Sequence, residues 1–294
     1  MKRIIALLAA LCLCFCAAAP LMPPGSAADT PMVILHRGNT ARAPENTVAA
    51  ILTAQEAGYP CCEIDIRRTA DGYWVVIHDT NISRMTDGSG RVRSMTLAEI
   101  SQARINEGEG LDRFPDEHIP ELNEMLDACL QYHVRPVIEI KKGHNEEDMI
   151  SLARLIGLRA DRGNFIFFSA DNDLTAALKY YLPDICAFYS KKTVNDSVIE
   201  YCVQNRFDGI FCSAARSSKE TVDAVHAAGM QCGFGLVDRE DVAAFCVESG
   251  VDYFVTHCIS PDFVFLTPKT TLRVFLRIGS VYRNLLTSFK GYFG

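Results

Sequence analysis

From residue 31 onward, short runs rich in β-branched and aromatic residues alternate with amphipathic stretches, and this rhythm restricts the chain to few folds. The runs are 32–36 (MVILH), 61–66 (CCEIDI), 74–78 (WVVIH), 136–140 (PVIEI), 165–169 (FIFFS), 185–190 (ICAFYS), 208–213 (DGIFCS), 230–236 (MQCGFGL) and 251–256 (VDYFVT). Helical spacing of apolar residues fills most intervals, as over 46–57, 120–132, 146–160, 218–228 and 239–248. Strands that are apolar nearly throughout are buried on both faces, which implies a parallel sheet covered by helices. Nine runs is one more than an eight-stranded barrel needs. Seven residues separate Ile66 from Trp74, whereas a parallel crossover takes about a dozen or more. The third run must therefore return as a hairpin, and Asp71-Gly72 is a two-residue hairpin pair. That turn sets Asp65 opposite His78 and Glu63 opposite Thr80, so Glu63, Asp65 and His78 are expected on one face. Eight parallel strands remain. The expected fold is α/β, a (β/α)8 TIM barrel with a β-hairpin after the second strand and its functional residues at the carboxyl ends of the strands. Residues 80–135 read as a small insertion over the mouth, with Thr96 capping a helix that includes Glu99.

Charge is distributed unevenly. The net charge of -7 argues against a chain built to grip nucleic acid. Residues 29–268 hold 22 Lys and Arg against 36 Asp and Glu, while residues 1–28 and 269–294 carry bases and no acids. Lys2 and Arg3, the apolar run from Ile4 to Ala19 and the small residues Ser26-Ala27-Ala28 describe a secretory signal over 1–28, cut after Ala28. The competing reading is an uncleaved membrane anchor, since Ile4 to Met22 approaches the ~20 residues of a spanning helix. Either reading places the rest outside the cytoplasm, secreted or attached to the cell envelope. Nine of the 12 cysteines follow Ala28; the number is odd and none stand in a C-x-x-C spacing, so buried free thiols are expected rather than a disulfide framework or a thiolate metal site.

Polar residues stand at strand ends where an apolar core would not tolerate them. His36-Arg37-Gly38 ends the first run, Glu63 and Asp65 lie on the second, His78-Asp79 ends the return strand, and Glu139 and Lys141 lie on the next. Three inward carboxylates, Glu63, Asp65 and Glu139, repel one another unless a cation joins them. Oxygen ligands without thiolates suit a hard divalent ion, Ca²⁺ or Mg²⁺, better than zinc or iron.

With these residues in place, the sequence resembles the glycerophosphodiester phosphodiesterase family, within the phosphatidylinositol-phospholipase-C-like barrels. The resemblance rests on His36-Arg37-Gly38, Pro44-Glu45-Asn46-Thr47, Glu63-Ile64-Asp65, Thr69 with Asp71-Gly72, Val76 to Asp79, Arg84 with Thr86, Gly88 and Gly90, Ile119-Pro120 with Leu122, and Ile138-Glu139-Ile140-Lys141. It covers residues 32–141, and 142–260 match only in barrel rhythm. It implies that residues 29–268 form a glycerophosphodiesterase-type barrel that hydrolyses a glycerophosphodiester to glycerol 3-phosphate and an alcohol. Glu63, Asp65 and Glu139 would match the metal ligands, His36 and His78 the acid/base pair, and Arg37 and Lys141 the phosphate contacts. Phosphodiester cleavage needs such groups in any case: imidazoles that titrate near neutrality and cations facing the phosphoryl oxygens. Which histidine is the base stays open. Glu45 and Asn46 read as caps of the first barrel helix, with a further part in orienting the site.

Two stretches depart from the family. A Trp-Thr-Val-Asn run is replaced by Phe234-Gly235-Leu236-Val237, and a Thr-Asp pair after the last strand by Thr256-His257. Phe234 is expected to offer an apolar wall at the mouth, and His257 is either an extra phosphate contact or a surface histidine. Beyond the barrel, residues 270–294 place Leu272, Phe275, Leu276, Tyr282, Leu286, Phe289 and Phe293 at helical spacing beside Arg273, Arg277, Arg283 and Lys290. Such a basic amphipathic helix either lies in an anionic membrane surface or packs on the acidic barrel. The altered mouth and basic tail also suit a phospholipase D-like activity on lysophospholipids or glycerophosphate polymers. A non-catalytic envelope binding protein is the rival from another class, but it would be expected to have lost one of the five site residues His36, Glu63, Asp65, His78 and Glu139, and all are present.

Overall fold

The structure, a computed structural model, describes residues 30–266. The expected signal over 1–28 and the basic tail over 269–294 lie outside the described residues. Nine strands form one sheet: β1 (Met32–Leu35), β2 (Cys61–Arg68), β3 (Trp74–Val76), β4 (Arg135–Ile140), β5 (Ile166–Phe168), β6 (Cys186–Ser190), β7 (Gly209–Ser213), β8 (Gln231–Gly235) and β9 (Tyr253–Thr256). Eight run parallel in the order β1-β2-β4-β5-β6-β7-β8-β9, and β9 pairs with β1 to close a barrel. Helices α1 (Val48–Glu56), α2 (Leu97–Ile100), α3 (Leu122–Gln131), α4 (Glu146–Gly157), α5 (Asn172–Tyr181), α6 (Asp196–Gln204), α7 (Lys219–Ala227), α8 (Glu240–Ser249) and α9 (Phe263–Leu266) follow in chain order. All of them except α2 and α9 connect barrel strands. This is the (β/α)8 TIM barrel that the alternation implied.

β3 returns antiparallel beside β2, but in a different register from the one expected. Ile66 faces Val76 and Arg68 faces Trp74. Asp65 consequently meets Ile77, whose N–H donates to its carbonyl at 2.9 Å. The turn holds three residues rather than two, because Thr69 N–H donates to Tyr73 O and leaves Ala70, Asp71 and Gly72 outside the ladder. Gly72 adopts φ +95, the left-handed conformation that a three-residue hairpin with a bulge requires. A slip of one residue turns a strand's side chains to the other face, so strand pairing does not bring His78 to the acids. It follows the end of β3, where the Arg67 guanidinium donates to its carbonyl at 2.9 and 2.7 Å.

Strand periodicity divides the apolar residues into two layers. Outward-facing residues pack against the helices, as Leu35, Ile64 and Ile138 do. Inward-facing residues fill the barrel, among them Ile34, Cys61, Val137, Ile166, Phe188 and Phe211. Glycine makes room for the large ones: a Cβ at Gly209 would lie 2.3 Å from the Phe188 ring, and one at Gly233 would lie 2.4 Å from Phe211. Phe234 has the opposite parity to Gly233 and Gly235. It is fully buried between sheet and helices, stacked on Phe245 with ring centroids 6.0 Å apart, so it is not the mouth wall that its sequence position suggested.

The excursion after β3 has a small apolar cluster of its own, with Ile77, Ile82, Val92, Ile100 and Ile119 at its centre. Thr96 caps α2 through a reciprocal capping box with Glu99. Asn46 does not cap α1; Thr47 does, accepting from Ala50 N–H. All nine cysteines of the described region are free, seven of them buried. Among the described residues no helix is long and apolar enough to cross a membrane.

Candidate active site

The inward rows of β2 and β4 turn from apolar to acidic toward their carboxyl ends. Cys61 is followed two residues on by Glu63 and then Asp65, and Val137 by Glu139. Asp65 and Glu139 are register partners on adjacent strands, which sets their carboxylates side by side. One oxygen from each of Glu63, Asp65 and Glu139 lies within 4.8 Å of the others. Glu63 is 1% exposed, and its Oε1 has no hydrogen-bond partner. Burial, with Asp65 and then Glu139 beside it, pushes the Glu63 carboxyl well above the usual carboxylate range. Glu139 is also raised, by burial and by Asp65 against the opposing pull of Lys141 and His78. Burial would raise Asp65 as well, but Lys141, Asn46 and Arg37 outweigh it and hold that carboxyl below its ordinary value. An unpartnered buried oxygen within a set of crowded carboxylates is the donor chemistry that a hard divalent cation satisfies. The three residues therefore fit such an ion.

The two cations expected to contact phosphate are bound to this cluster. Lys141 Nζ donates to Asp65 Oδ1 at 2.9 Å and lies 3.1 Å from Glu139 Oε2. Arg37 lies 3.4 Å from Asp65 Oδ2 through Nε and 3.1 Å from Glu45 Oε1 through Nη1, while its own N–H donates to Glu63 Oε2 at 3.0 Å. Arg37 and Asn46 both take the left-handed conformation, φ 58 each, which costs a non-glycine residue strain that functional sites often retain. Asn46 closes a two-way bridge to Asp65, donating to Oδ2 at 2.8 Å and accepting from its N–H at 3.0 Å. Its place is in the site, as an orienter. Glu45 joins Arg37 to Arg84, and Arg84 reaches Asp79. Asp79 in turn holds His78 Nδ1 at 2.7 Å.

His36 sits just beyond β1, its N–H donating to Thr256 O on β9 at 2.9 Å. Its Nε2 is 3.8 Å from Glu63 Oε2. Its Nδ1 is 2.8 Å from His257 Nε2, and His257 Nδ1 is 2.8 Å from Asp238 Oδ2. Asp238 is fixed from behind by the His257 N–H and the Thr256 hydroxyl. His257 is thus not a free surface residue, since both its ring nitrogens are engaged by His36 and Asp238. Burial, followed by Arg37 and His257, pulls the His36 imidazole down to about 4. Asp238 escaped the sequence reading because it stands just before α8, where acids are common. The available signal was an imidazole after the last strand with an acid after the preceding one.

A cavity of about 410 Å³ opens at the carboxyl ends of the strands, with His36, Glu63 and Glu139 among its lining residues. The structure thus gathers His36, the three acids and the two cations, joins His78 to them through Asp79, Arg84 and Glu45, and leaves Phe234 apart.

The sequence model of the Glycerophosphoryl diester phosphodiesterase family matches residues 36–260. Glycerophosphodiester phosphodiesterase 1 of Mus musculus is 40% identical over 126 residues, 42% of this chain but only 37% of the mouse protein's length. Probable glycerophosphodiester phosphodiesterase 1 of Mycobacterium tuberculosis is 27% identical over 248 residues, 78% of this chain and 90% of that one. Among solved structures, a phosphodiesterase from Oleispira antarctica in complex with the product sn-glycerol-3-phosphate superposes with TM-score 0.70 at 27% identity, covering 78% of this chain and 93% of that one.

Proposed function

The chain belongs to the glycerophosphoryl diester phosphodiesterase family, and from that premise we propose that it hydrolyses glycerophosphodiesters to glycerol 3-phosphate and the head-group alcohol. The observation that carries this reading is the convergence of His36, Glu63 and Glu139 on one cavity at the barrel mouth, with Asp65 in the same carboxylate cluster. Those three acids would hold Ca²⁺ or Mg²⁺. When bound, the cation supplies positive charge against the negative charge that develops on the phosphoryl oxygens.

The remaining work falls to side chains. Arg37 and Lys141 add positive charge beside the phosphate. Asp238 accepts a hydrogen bond from the Nδ1–H of His257, which leaves His257 Nε2 as an acceptor; the facing His36 Nδ1 then carries its proton, and His36 Nε2 is left as a free lone pair toward the site. His36 is accordingly the base that takes the proton of the attacking hydroxyl. His78, held through Nδ1 by Asp79, is left to give a proton to the departing alkoxide as the P–O bond breaks.

Release of glycerol 3-phosphate from glycerophosphocholine and related diesters, with and without Ca²⁺ or Mg²⁺ and with His36→Ala as control, tests this function. Metal-independent turnover, or full activity in the variant, would overturn it. The apolar, basic start of the chain supports a location outside the cytoplasm, checked by fractionation and by mass spectrometry of the mature N-terminus. The acid-free segment 270–294 supports attachment to an anionic membrane surface; unchanged liposome flotation after its deletion would exclude that.

A further inference from the structure

The wall of the cavity formed by β6 and β7 has a different charge from the wall formed by β2 and β4. Lys191 and Lys192 follow β6 directly, Arg216 lies in the short turn after β7, and all three line the cavity that also reaches His36, Glu63 and Glu139. Their backbone is pinned, with Lys191 N–H donating to Phe211 O at 2.9 Å and Ser213 N–H to Lys192 O at 3.3 Å. Their side chains are exposed, and among the described residues none has a carboxylate within 4 Å. Arg37, Arg84 and Lys141, by contrast, are each tied to one or more acids. In a barrel region where acids outnumber bases 36 to 22, three cations gathered without a counter-ion at the rim of one cavity leave a positive charge unanswered by the protein itself. Phe168 and Phe211, with ring centroids 5.1 Å apart, supply apolar surface in the same cavity.

We infer that Lys191, Lys192 and Arg216 form a second subsite that takes an acidic group, carboxylate or phosphate, on the head-group side of the diester. The inference rests on the hydrolase reading for the identity of the other end of the substrate. With the diester phosphate at the metal-binding acids, the alcohol extends across the aromatic surface, and an acid on that alcohol meets the three cations. A head group that ends in a cation meets them unfavourably.

Glycerophosphoserine and glycerophosphoethanolamine differ by one carboxylate and make a matched pair. The full chain with divalent metal is assayed on both by kcat/KM and by calorimetric binding, beside a variant carrying Lys191→Gln, Lys192→Gln and Arg216→Gln. The expected result is a preference for the serine diester of about tenfold, the discrimination that one hydrogen bond to a charged group supplies. In the variant the preference disappears, and the ethanolamine diester, freed of the unfavourable cations, is handled at least as well as before. Equal handling of the two diesters by the unmodified chain overturns the subsite. So does a variant that loses both alike, because the cations would then be holding the shared phosphate. Serine-selective binding without turnover of either diester sustains the subsite and sinks the hydrolase reading instead.

Discussion

A single side chain in this site is defined by what holds it from behind. His36 faces the acids with one nitrogen, and in the proposed relay Asp238, acting through His257, decides which of its nitrogens carries the proton. Replacing His257 by Ala, or Asp238 by Asn, is expected to lower kcat about 10–100-fold, the usual cost of an outer-shell partner, with KM nearly unchanged. His257→Gln, whose side-chain oxygen can still accept from His36 Nδ1, should recover part of the loss. Nitrogen NMR should show the Nδ1–H form of His36 in the parent and a mixture in His257→Ala; an unaltered tautomer would remove the relay from the mechanism. Glu63 offers the complementary experiment. Its buried Oε1, left without a hydrogen-bond partner, costs the metal-free fold about 1–3 kcal/mol, so Glu63→Gln should melt higher than the parent without metal. Saturating Ca²⁺ or Mg²⁺ should stabilise the parent by about 2.7 kcal/mol at a hundredfold excess over Kd and leave the variant unmoved. A parent melting curve indifferent to both ions would contradict the metal site.

Elements carry these residues into place through their turns. The β1–α1 turn reverses at Gly38, where φ is +78 and a Cβ would lie 2.6 Å from the Ala50 Cβ on α1. Gly38→Ala therefore meets both strain and overlap, and is expected to destabilise by about 1–3 kcal/mol, or roughly 2–4 °C of melting temperature for each kcal/mol. Because Arg37 N–H and Asn46 hang on the same turn, metal affinity should fall with stability; a variant that melts like the parent would show that α1 can shift freely. The hairpin shows how far local chemistry can be read. Asp71-Gly72 correctly marked a reversal between two strands, yet the Thr69–Tyr73 hydrogen bond added one residue to the loop and moved the register by one. Asn46 failed for a related reason. Its residue type suits a cap, but the neighbouring Thr47 can cap equally well, and Asp65 offered Asn46 two hydrogen bonds that no sequence window displays.

At the level of the whole molecule, barrel closure links the two ends of the described chain. Asp252, just before β9, accepts from Cys232 N–H at 2.7 Å and lies 2.8 Å from His226 on α7, which ties a helix and two strands together near that seam. The Asp252 hydrogen bond raises the His226 pKa above its ordinary 6.5. A raised imidazole binds its proton more tightly in the folded state, so its stabilisation is complete below the ordinary value and is lost as pH climbs through the folded one. His226→Gln should accordingly lower the melting temperature by about 2–4 °C at pH below the ordinary imidazole value, and by progressively less as pH rises through the raised folded value. An equal loss at both ends of the range would mean that the pair acts only through its shape.

The amino-acid order alone determined the alternation of strands and helices, the presence of one hairpin, the parity that turns Glu63, Asp65 and Glu139 inward, and the buried state of most thiols. All of these follow from local periodicity, residue volume and the cost of burying charge. Tertiary structure alone decided the hairpin register, the outward parity of Phe234 and that Asn46 serves the site while Thr47 caps the helix. It also decided the meeting of His36 with His257, 221 residues apart. That meeting exists because the last strand pairs with the first, and a contact made by closing a ring leaves no periodic trace in the stretch of chain around either partner.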